Sequence, residues 1–418
     1  MRTIRQIRRK ENGPRLVTAP VSEAAPALDA RLVAIQALIP LGLQAVAEEL
    51  EAEVIRLAGL RYARGDGQPA HVRWGRQAGS IYLADQKLGL AVPRVRDRNR
   101  GVEVPLATYA AFQQPRALDE GLFRRVLGGL AQREYAACAE AVPEAFGLSR
   151  STVSRRFVRA SARQLTALQE RRLDGEQWVA LFLDGKRFAE DGLVIAVGVT
   201  VTGAKQILGF VQTATENRKS CTAFLRGLVE RGFQPADGLL VVLDGAKGLR
   251  AAVDDVWGAR AQVQRCQWHK RENVVSHLPK RLQPEWRQKL QRAYAQPTYE
   301  AAKAALLRCQ RELRLLNASA AASLLEGLEE TLTLHRLGLG ALLGASFRTT
   351  NVLESIMAQV EQRTAKVDHW RTSDQKQRWC AAALLQLEPR LRKVKGYRHL
   401  PQLVAALRTA RSLTRDAA

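Results

Sequence analysis

Residues 181 to 188 read LFLDGKRF, and residues 239 to 247 read LLVVLDGAK. In the first, an apolar run delivers Asp184, and Gly185 is expected to end the strand there. In the second, the five apolar residues Leu239 to Leu243 deliver Asp244, and Gly245 opens the chain in the same way. Short apolar runs bounded by glycine are the pattern of buried strands in a mainly parallel sheet, and ligands of such sheets gather at the carboxyl ends of the strands. Two strand ends therefore offer two acids at one rim. A third comes from TTNVLESIMAQV, residues 349 to 360, which reads as a helix. Thr350 or Asn351 is placed to cap it, and Val352, Ile356 and Val360 recur at helical spacing, which puts Glu354 in its first turn. Hard cations such as Mg²⁺ or Mn²⁺ take oxygen ligands and fill their remaining positions with water and substrate phosphates. The acids Asp184, Asp244 and Glu354 together are thus a candidate site for two such ions, which can clamp the attacking and leaving oxygens of a phosphodiester displacement. Taken singly, each Asp-Gly also reads as a turn, and a glutamate early in a helix also reads as a complement to the helix dipole.

Composition points to the same class of substrate. Lys plus Arg number 65 against 41 acids, a net charge of +24 over 418 residues. A length of that order predicts two or three domains. An excess of this size favours a polyanion, and the release of condensed counterions predicts binding that weakens steeply with salt. A membrane surface is the rival polyanion, but no run of about 18 apolar residues occurs, and the opening MRTIRQIRRK lacks the apolar stretch of a secretory signal. The expectation is a cytoplasmic protein, on the nucleoid when bound to DNA. The five cysteines, Cys138, Cys221, Cys266, Cys309 and Cys380, show no Cys-x-x-Cys spacing and read as reduced thiols.

Residues 1 to about 27 are basic and then rich in Pro and Ala. From Leu28 to Arg64 the positions Val46, Leu50, Val54 and Leu57 step at three or four, with a break expected at Pro40, so the segment reads as a pair of amphipathic helices, for packing, oligomer contacts or DNA. Residues 65 to 105 change to period two, a β-hairpin unit carrying Arg73, Arg76, Lys87, Arg94, Arg96 and Arg98. Residues 106 to 172 include EYAACAEAVPEAFGLSRSTVSRRFVRASARQL. A first helix ends near Phe146, Gly147 turns, Ser149 caps, and a second helix turns Val153 and Phe157 inward and Arg150, Ser151, Ser154, Arg155 and Arg159 outward. That is the grammar of a DNA-reading helix-turn-helix, although a helical hairpin with a solvated charged face has the same pattern. Residues 173 to 418 then hold all three acids.

After the second acid comes CQWHKRENV. Cys266 and His269 are too few to complete a zinc site, with only His277 as an obvious addition, so a structural or DNA-facing role is expected of both. Trp268 reads either as a platform for an unpaired base or as a core residue, with His269, Lys270 and Arg271 flanking the strand path. From about 281 to 345 the pattern is helical throughout, an insertion between the second and third acids.

The motifs VLDGAKGLRAAV, Cys266-x-x-His269 and RTTNVLES, with the order strand-Asp184, antiparallel strands at 192 to 201 and 206 to 214, helix, strand-Asp244, helices, Glu354, resemble the Mutator-type insertion-sequence transposases of bacteria over about residues 30 to 410. The resemblance implies a multidomain α/β protein. Its core would be a ribonuclease-H-like DDE domain with an all-helical insertion, preceded by helical, β-hairpin and helix-turn-helix DNA-binding parts. It also implies Mg²⁺ or Mn²⁺ at Asp184, Asp244 and Glu354, cleavage and joining of double-stranded DNA at the terminal inverted repeats of an element and at its target, a circular intermediate, and a dimer or higher assembly on DNA. Two departures stand out. Many relatives carry a zinc ribbon in the N-terminal region, whereas no cysteine precedes Cys138. Many also carry a basic residue seven positions after the glutamate, where this chain has Glu361. Two other readings compete: a different ribonuclease-H-like nuclease, which would not need the helix-turn-helix or the insertion, and a non-catalytic DNA-binding regulator, which would not need the acids.

Overall fold

The structure, a computed structural model, describes residues 25–62, 70–83, 86–113, 123, 126–128, 150–188, 190–213 and 217–416. The chain divides into two compact units, one of residues 1–118 and 141–147 and one of residues 119–140 and 148–418.

In the first unit, helix α1 (Ala25–Ala58) is followed by strands β1 (His71–Leu83), β2 (Gln86–Asp97) and β3 (Glu103–Val104) and by a short helix α2 (Ala107–Phe112). The three strands form an antiparallel sheet in sequence order. One core holds helix and sheet together: Val46, Leu50 and Val54 of α1 meet Ile81, Val92 and Val95 of the hairpin. The N-terminal helix and the hairpin, expected as separate parts, thus fold around each other. The expected break at Pro40 is also corrected, because α1 continues through it. A proline removes one intrahelical bond and strains the preceding turn, which need not end a helix with strong helix formers on both sides. Buried Glu53 accepts hydrogen bonds from the Ala107 and Thr108 amides at 2.7 and 3.0 Å and so caps α2. Several hairpin arginines are engaged inside the unit: Arg73 bonds Glu51 and the Gly59 carbonyl, and Arg94 forms a two-point bond with Glu103.

The second unit is built on a five-stranded sheet. Its elements are α3 (Arg150–Glu170), β4 (Trp178–Phe188), β5 (Asp191–Thr200), β6 (Lys205–Thr213), α4 (Arg218–Glu230), β7 (Leu239–Leu243), α5 (Lys247–Trp257) and β8 (Ala261–Arg265). These are followed by α6 (Gln267–Ser276), α7 (Gln283–Tyr294), α8 (Tyr299–Leu316), α9 (Ala318–Leu325), α10 (Leu328–Thr331), α11 (Thr333–Arg336), α12 (Gly340–Phe347), α13 (Asn351–Thr364), α14 (Ser373–Leu387) and α15 (Leu400–Asp416). The strand order is β6-β5-β4-β7-β8, with β4, β7 and β8 parallel and the other pairs antiparallel, so the sheet is mixed rather than mainly parallel.

Both faces are covered, which is why β4 and β7 are apolar without alternation. Alternate residues serve different cores. Ala180, Phe182, Leu240 and Val242 face the layer that holds α13, α14 and α15, while Leu181, Leu183, Val241 and Leu243 face α4 and α5. The period of two then carries Asp184 toward the α13 side.

The helical insertion has its own core, from Val274 and Val275 of α6 through α7, α8 and α9 to Leu332. It therefore starts before the expected residue 281 and ends before 345, since Leu334, Leu339 and Leu343 already belong to the core under the sheet. Helix α3 buries Val153, Phe157 and Ala160 against Trp379 and Ala382, leaving Ser151, Arg155 and Arg159 exposed and Ser154 half-buried. The first helix of the expected helix-turn-helix, its Gly147 turn, Ser149 and the Arg150 side chain lie outside the described residues.

Candidate active site

Asp184 stands inside β4, not at its end, and this corrects the expectation that Gly185 stops the strand. β4 runs on to Phe188 because β5 continues to pair with it, Asp184 opposite Ile195 and Phe188 opposite Asp191. What stops is the other neighbour: the last β4–β7 pair is Leu183 with Leu243. Asp184 and Asp244 therefore follow one another's register at the rim of two adjacent parallel strands. Gly245, at φ +103°, lets the chain turn away; a Cβ there would collide with the Arg265 guanidinium. The Asp244 carboxylate accepts the Ala246 amide at 3.0 Å.

Glu354 comes from the first turn of α13. The position before that helix is Thr350, but its hydroxyl does not cap. It lies 3.3 Å from His269 Nδ1 and donates to Cys266 Sγ at 3.7 Å, so the helix start is tied to the Cys-x-x-His segment. That segment is itself anchored: the Cys266 amide donates to the Leu243 carbonyl at 2.7 Å and the Gln267 amide to the Arg348 carbonyl at 2.9 Å. Cys266 is fully buried, and burial pushes its thiol up, so it stays neutral and serves packing. His269 turns the other way, with Nε2 3.4 Å from Glu354 Oε1. Burial and the charge of Lys186 hold its imidazole below the usual pKa, in the neutral form that can ligate a metal.

One ligand atom each from Asp184, His269 and Glu354 lie within 4.8 Å of one another. Asp184 is 1% exposed, and neither of its carboxylate oxygens has a hydrogen-bond partner. Burial, and then the negative charge of Asp244, push its pKa up to about 7. A buried acid with two unsatisfied oxygens among other donors is a place a cation would relieve, so the residues present fit a hard divalent ion. Sequence reasoning set His269 beside Cys266 and missed its pairing with Glu354. It missed Lys186 entirely, whose ammonium lies 3.4 Å from Asp184 Oδ2 and 3.6 Å from Glu354 Oε1. The signal was available, since residues two apart on a strand share a face.

Residues 28–417 match the model of the family described as "Transposase, Mutator family". The chain belongs to the Mutator family of transposases. Among its relatives, the transposase for insertion sequence element ISRM5 of Rhizobium meliloti is 29% identical over 330 residues, 76% of this chain and 79% of that protein. The transposase for insertion sequence element IST2 of Acidithiobacillus ferrooxidans is 33% identical over 174 residues, 42% of this chain and 57% of that protein. The transposase for element IS256 in transposon Tn4001 of Staphylococcus aureus is 29% identical over 213 residues, 48% of this chain and 52% of that protein. The matched region thus spans little more than half of the latter two.

In this Mutator-family transposase the flanking residues of the site divide sharply. Trp268 is 39% exposed and meets the His269 ring edge-on at 4.9 Å, which removes the core reading of that tryptophan. Lys270 corrects an expectation in the opposite sense. It was a candidate for the DNA path, yet it is fully buried, and its ammonium donates to the Ser323 and Glu326 carbonyls and to Glu326 Oε2 at 2.6 to 2.9 Å. It is spent on the insertion and has nothing left for a phosphate. Arg271 is half-buried and pairs with Glu272. Glu361, on the exposed part of α13, adds a negative charge where the family resemblance led one to look for a positive one.

Proposed function

We propose that this transposase is a DDE enzyme on a ribonuclease-H-like core, cutting double-stranded DNA at the terminal inverted repeats of its element and joining the freed 3′ ends to target DNA. The β6-β5-β4-β7-β8 order, antiparallel then parallel, favours that core, and the helices inserted between Asp244 and Glu354 agree with it. The observation that carries the reading is the pair of unsatisfied, buried Asp184 oxygens beside His269 and Glu354 at the sheet rim.

Asp184, Asp244 and Glu354 would hold Mg²⁺ or Mn²⁺, two ions in the full reading, with His269 beside Glu354 as a further donor. Such ions, when bound, supply Lewis acidity and neutralise charge that develops on the phosphate oxygens. The chain's own residues supply position. The β4 and β7 ends fix two acids against each other, and the Thr350–His269 contact holds the start of α13, and with it Glu354, against the rim. Exposed Trp268 stands at the edge of the same site, where it can stack on a base freed from the duplex. The reaction is two successive displacements at phosphorus: water attacks one phosphodiester and its 3′ oxygen leaves as a hydroxyl, and that hydroxyl attacks a second phosphodiester, whose own 3′ oxygen leaves in turn, so no protein–DNA bond forms. Arg150, Ser151, Ser154, Arg155 and Arg159 on α3, with the β1–β2 hairpin, are the proposed readers of the element ends, and Arg271 the proposed phosphate contact. Two ends require at least a dimer on DNA. Among the described residues no helix is long and apolar enough to cross a membrane.

The test is strand cleavage and 3′-end joining on labelled duplexes taken from the DNA flanking the gene, with Mg²⁺ or Mn²⁺. Asp184→Asn, Asp244→Asn and Glu354→Gln each keep shape and remove a charge. Each is expected to lower cleavage by about a thousandfold or more, because several kcal/mol of transition-state stabilisation go with the charge. DNA binding, which rests on the basic surface, is expected to survive. Undiminished cleavage in one variant removes that residue from the site, and a parent protein that binds the ends but cuts with no divalent ion leaves the regulator reading in place.

A further inference from the structure

Lys186 has no place in the proposed reaction so far, although its ammonium pairs with two of the acids, Asp184 and Glu354. It is 3.4 Å from Asp184 Oδ2 and 3.6 Å from Glu354 Oε1, and its side chain is only 28% exposed. It therefore sits in the gap between two carboxylates that come from different elements, β4 and α13. The gap is also the one in which donor atoms of Asp184, Glu354 and His269 approach within 4.8 Å of one another. An ammonium and a divalent ion cannot both stay there: at such separations like charges repel by several kcal/mol even at a protein-surface dielectric. The contact to Asp184 is also a long one, 3.4 Å against the 2.7 to 2.9 Å usual for a tight charge-assisted hydrogen bond. An ion pair of this kind holds charge in balance without locking geometry, and a four-carbon stem lets the ammonium leave.

We propose that Lys186 is the displaceable counter-ion of this site: it bridges Asp184 and Glu354 while they are without metal, yields the gap to a divalent cation, and then offers its ammonium to a DNA phosphate at the same rim. The proposal rests on the metal-site reading above and adds a competitor built into the strand itself. Two residues along β4 from Asp184, on the same face, Lys186 cannot move far from the site when displaced. Its nearest new anion is the backbone of the bound DNA.

The experiment compares the full-length parent with Lys186→Gln and Lys186→Ala at pH 8, where carboxylates with raised pKa are ionised. Mn²⁺ affinity is measured by calorimetry without DNA. Removing the competing cation is expected to tighten Mn²⁺ binding by roughly tenfold or more in both variants. Affinity that is unchanged or weaker in both overturns the proposal. Thermal unfolding in EDTA is the second reading: both variants are expected to melt below the parent and to regain the difference when Mn²⁺ is added. A loss that Mn²⁺ does not restore makes Lys186 a structural residue and overturns the proposal too. The third reading is the salt dependence of binding to an end duplex. With Ca²⁺ present the Lys186→Gln slope should fall by about one released counterion, and in EDTA it should match the parent. An equal slope in Ca²⁺ overturns the phosphate contact. Asp184→Asn is the control that separates the two levels: if it takes up Mn²⁺ as well as the parent does, the metal-site reading fails and this proposal with it, whereas a weakened Asp184→Asn beside unchanged Lys186 variants sinks this proposal alone.

Discussion

Asp184 and Glu326 are both carboxylates with a lysine beside them, one at the rim of the five-stranded sheet and one at the root of the helical insertion, and their chemistry runs in opposite directions. At the rim, acids outnumber the nearby cation. Asp184 is pushed up to about 7 by burial and by Asp244, and its oxygens lack hydrogen-bond partners. At the root, cations outnumber the acid. Lys270 and Arg265 both donate to Glu326, Lys270 also takes the Ser323 and Glu326 carbonyls, and Glu326 is held down at about 2, chiefly by its bond to Lys270. Gly327, at φ +65°, lets Arg265 pass close by; a Cβ there would collide with its Nη1. The contrast teaches that a buried charge by itself does not mark a function. A buried acid with unsatisfied oxygens invites a ligand from outside, while a buried ammonium with an acceptor for each of its three donors is a joint.

The largest expected difference between the two is in how stability follows pH. The Asp184 pKa is raised on folding, so the metal-free folded state holds a proton that the unfolded chain has lost. Stability from this group is therefore lost as pH rises from about 4 to about 7, by up to about 4 kcal/mol. The Glu326 pKa is depressed, so its contribution is present above about 4.5 and lost as pH falls toward about 2. Urea unfolding in EDTA across pH 3 to 8 checks both signs. Asp184→Asn should gain on the parent as pH rises through the upper window, and Mn²⁺ should erase that gain. Glu326→Gln should flatten the acid side alone. A variant at Asp184 that loses ground with rising pH would contradict an uncompensated acid at the rim.

A middle-sized effect tests the joint directly. Glu326→Gln leaves Lys270, fully buried, and Arg265, 8% exposed, without their counter-charge. The expected cost is about 3 kcal/mol, the low end for an unpaired buried charge because Lys270 keeps its two carbonyl acceptors. Lys270→Met removes the buried charge and keeps the volume, and should cost less than Glu326→Gln. The reverse order in chemical denaturation would mean that the Lys270 bonds to the carbonyls, and not charge balance, hold the insertion in place.

Much of this contrast is legible in the sequence where it is local and lost where it depends on distant partners. LFLD and LLVVLD announce buried strands because both faces are apolar, and the period of two puts Asp184 and Asp244 on the side that α13 covers. Asn351-x-x-Glu354 announces a helix start, so the approach of Glu354 to Asp184 is a fair expectation from short stretches. The course of β4 past Gly185 is not, since it depends on β5 continuing as a partner, nor is the mixed sheet direction. Lys270 reads as one more basic residue of CQWHKR, and only Glu326, 56 positions away, makes it a buried one. Thr350 reads as a cap, and its diversion to His269 and Cys266 depends on a contact 81 and 84 residues back along the chain. Pairings of this range leave no trace in local periodicity.

The smallest expected effect lies at the border of the two kinds of site. Trp268 belongs to the same helix as Lys270 but faces solvent, and its ring meets His269 edge-on at 4.9 Å. If it acts as a stacking platform for a base beside the acids, Trp268→Ala should lower cleavage about tenfold, the scale of one lost base–aromatic stack. Stability should change by no more than about 0.5 kcal/mol, as for other exposed substitutions that empty no core. Trp268→Phe, which keeps a π-face, should recover most of the rate. The competing role is local support of His269 through the edge contact. It is separated by Mn²⁺ affinity, which a lost stacking platform leaves alone and a loosened His269 weakens. Reduced cleavage with parental Mn²⁺ affinity and parental melting therefore assigns Trp268 to the DNA, reduced cleavage with weakened affinity assigns it to the rim, and a parental rate in the alanine variant removes it from both.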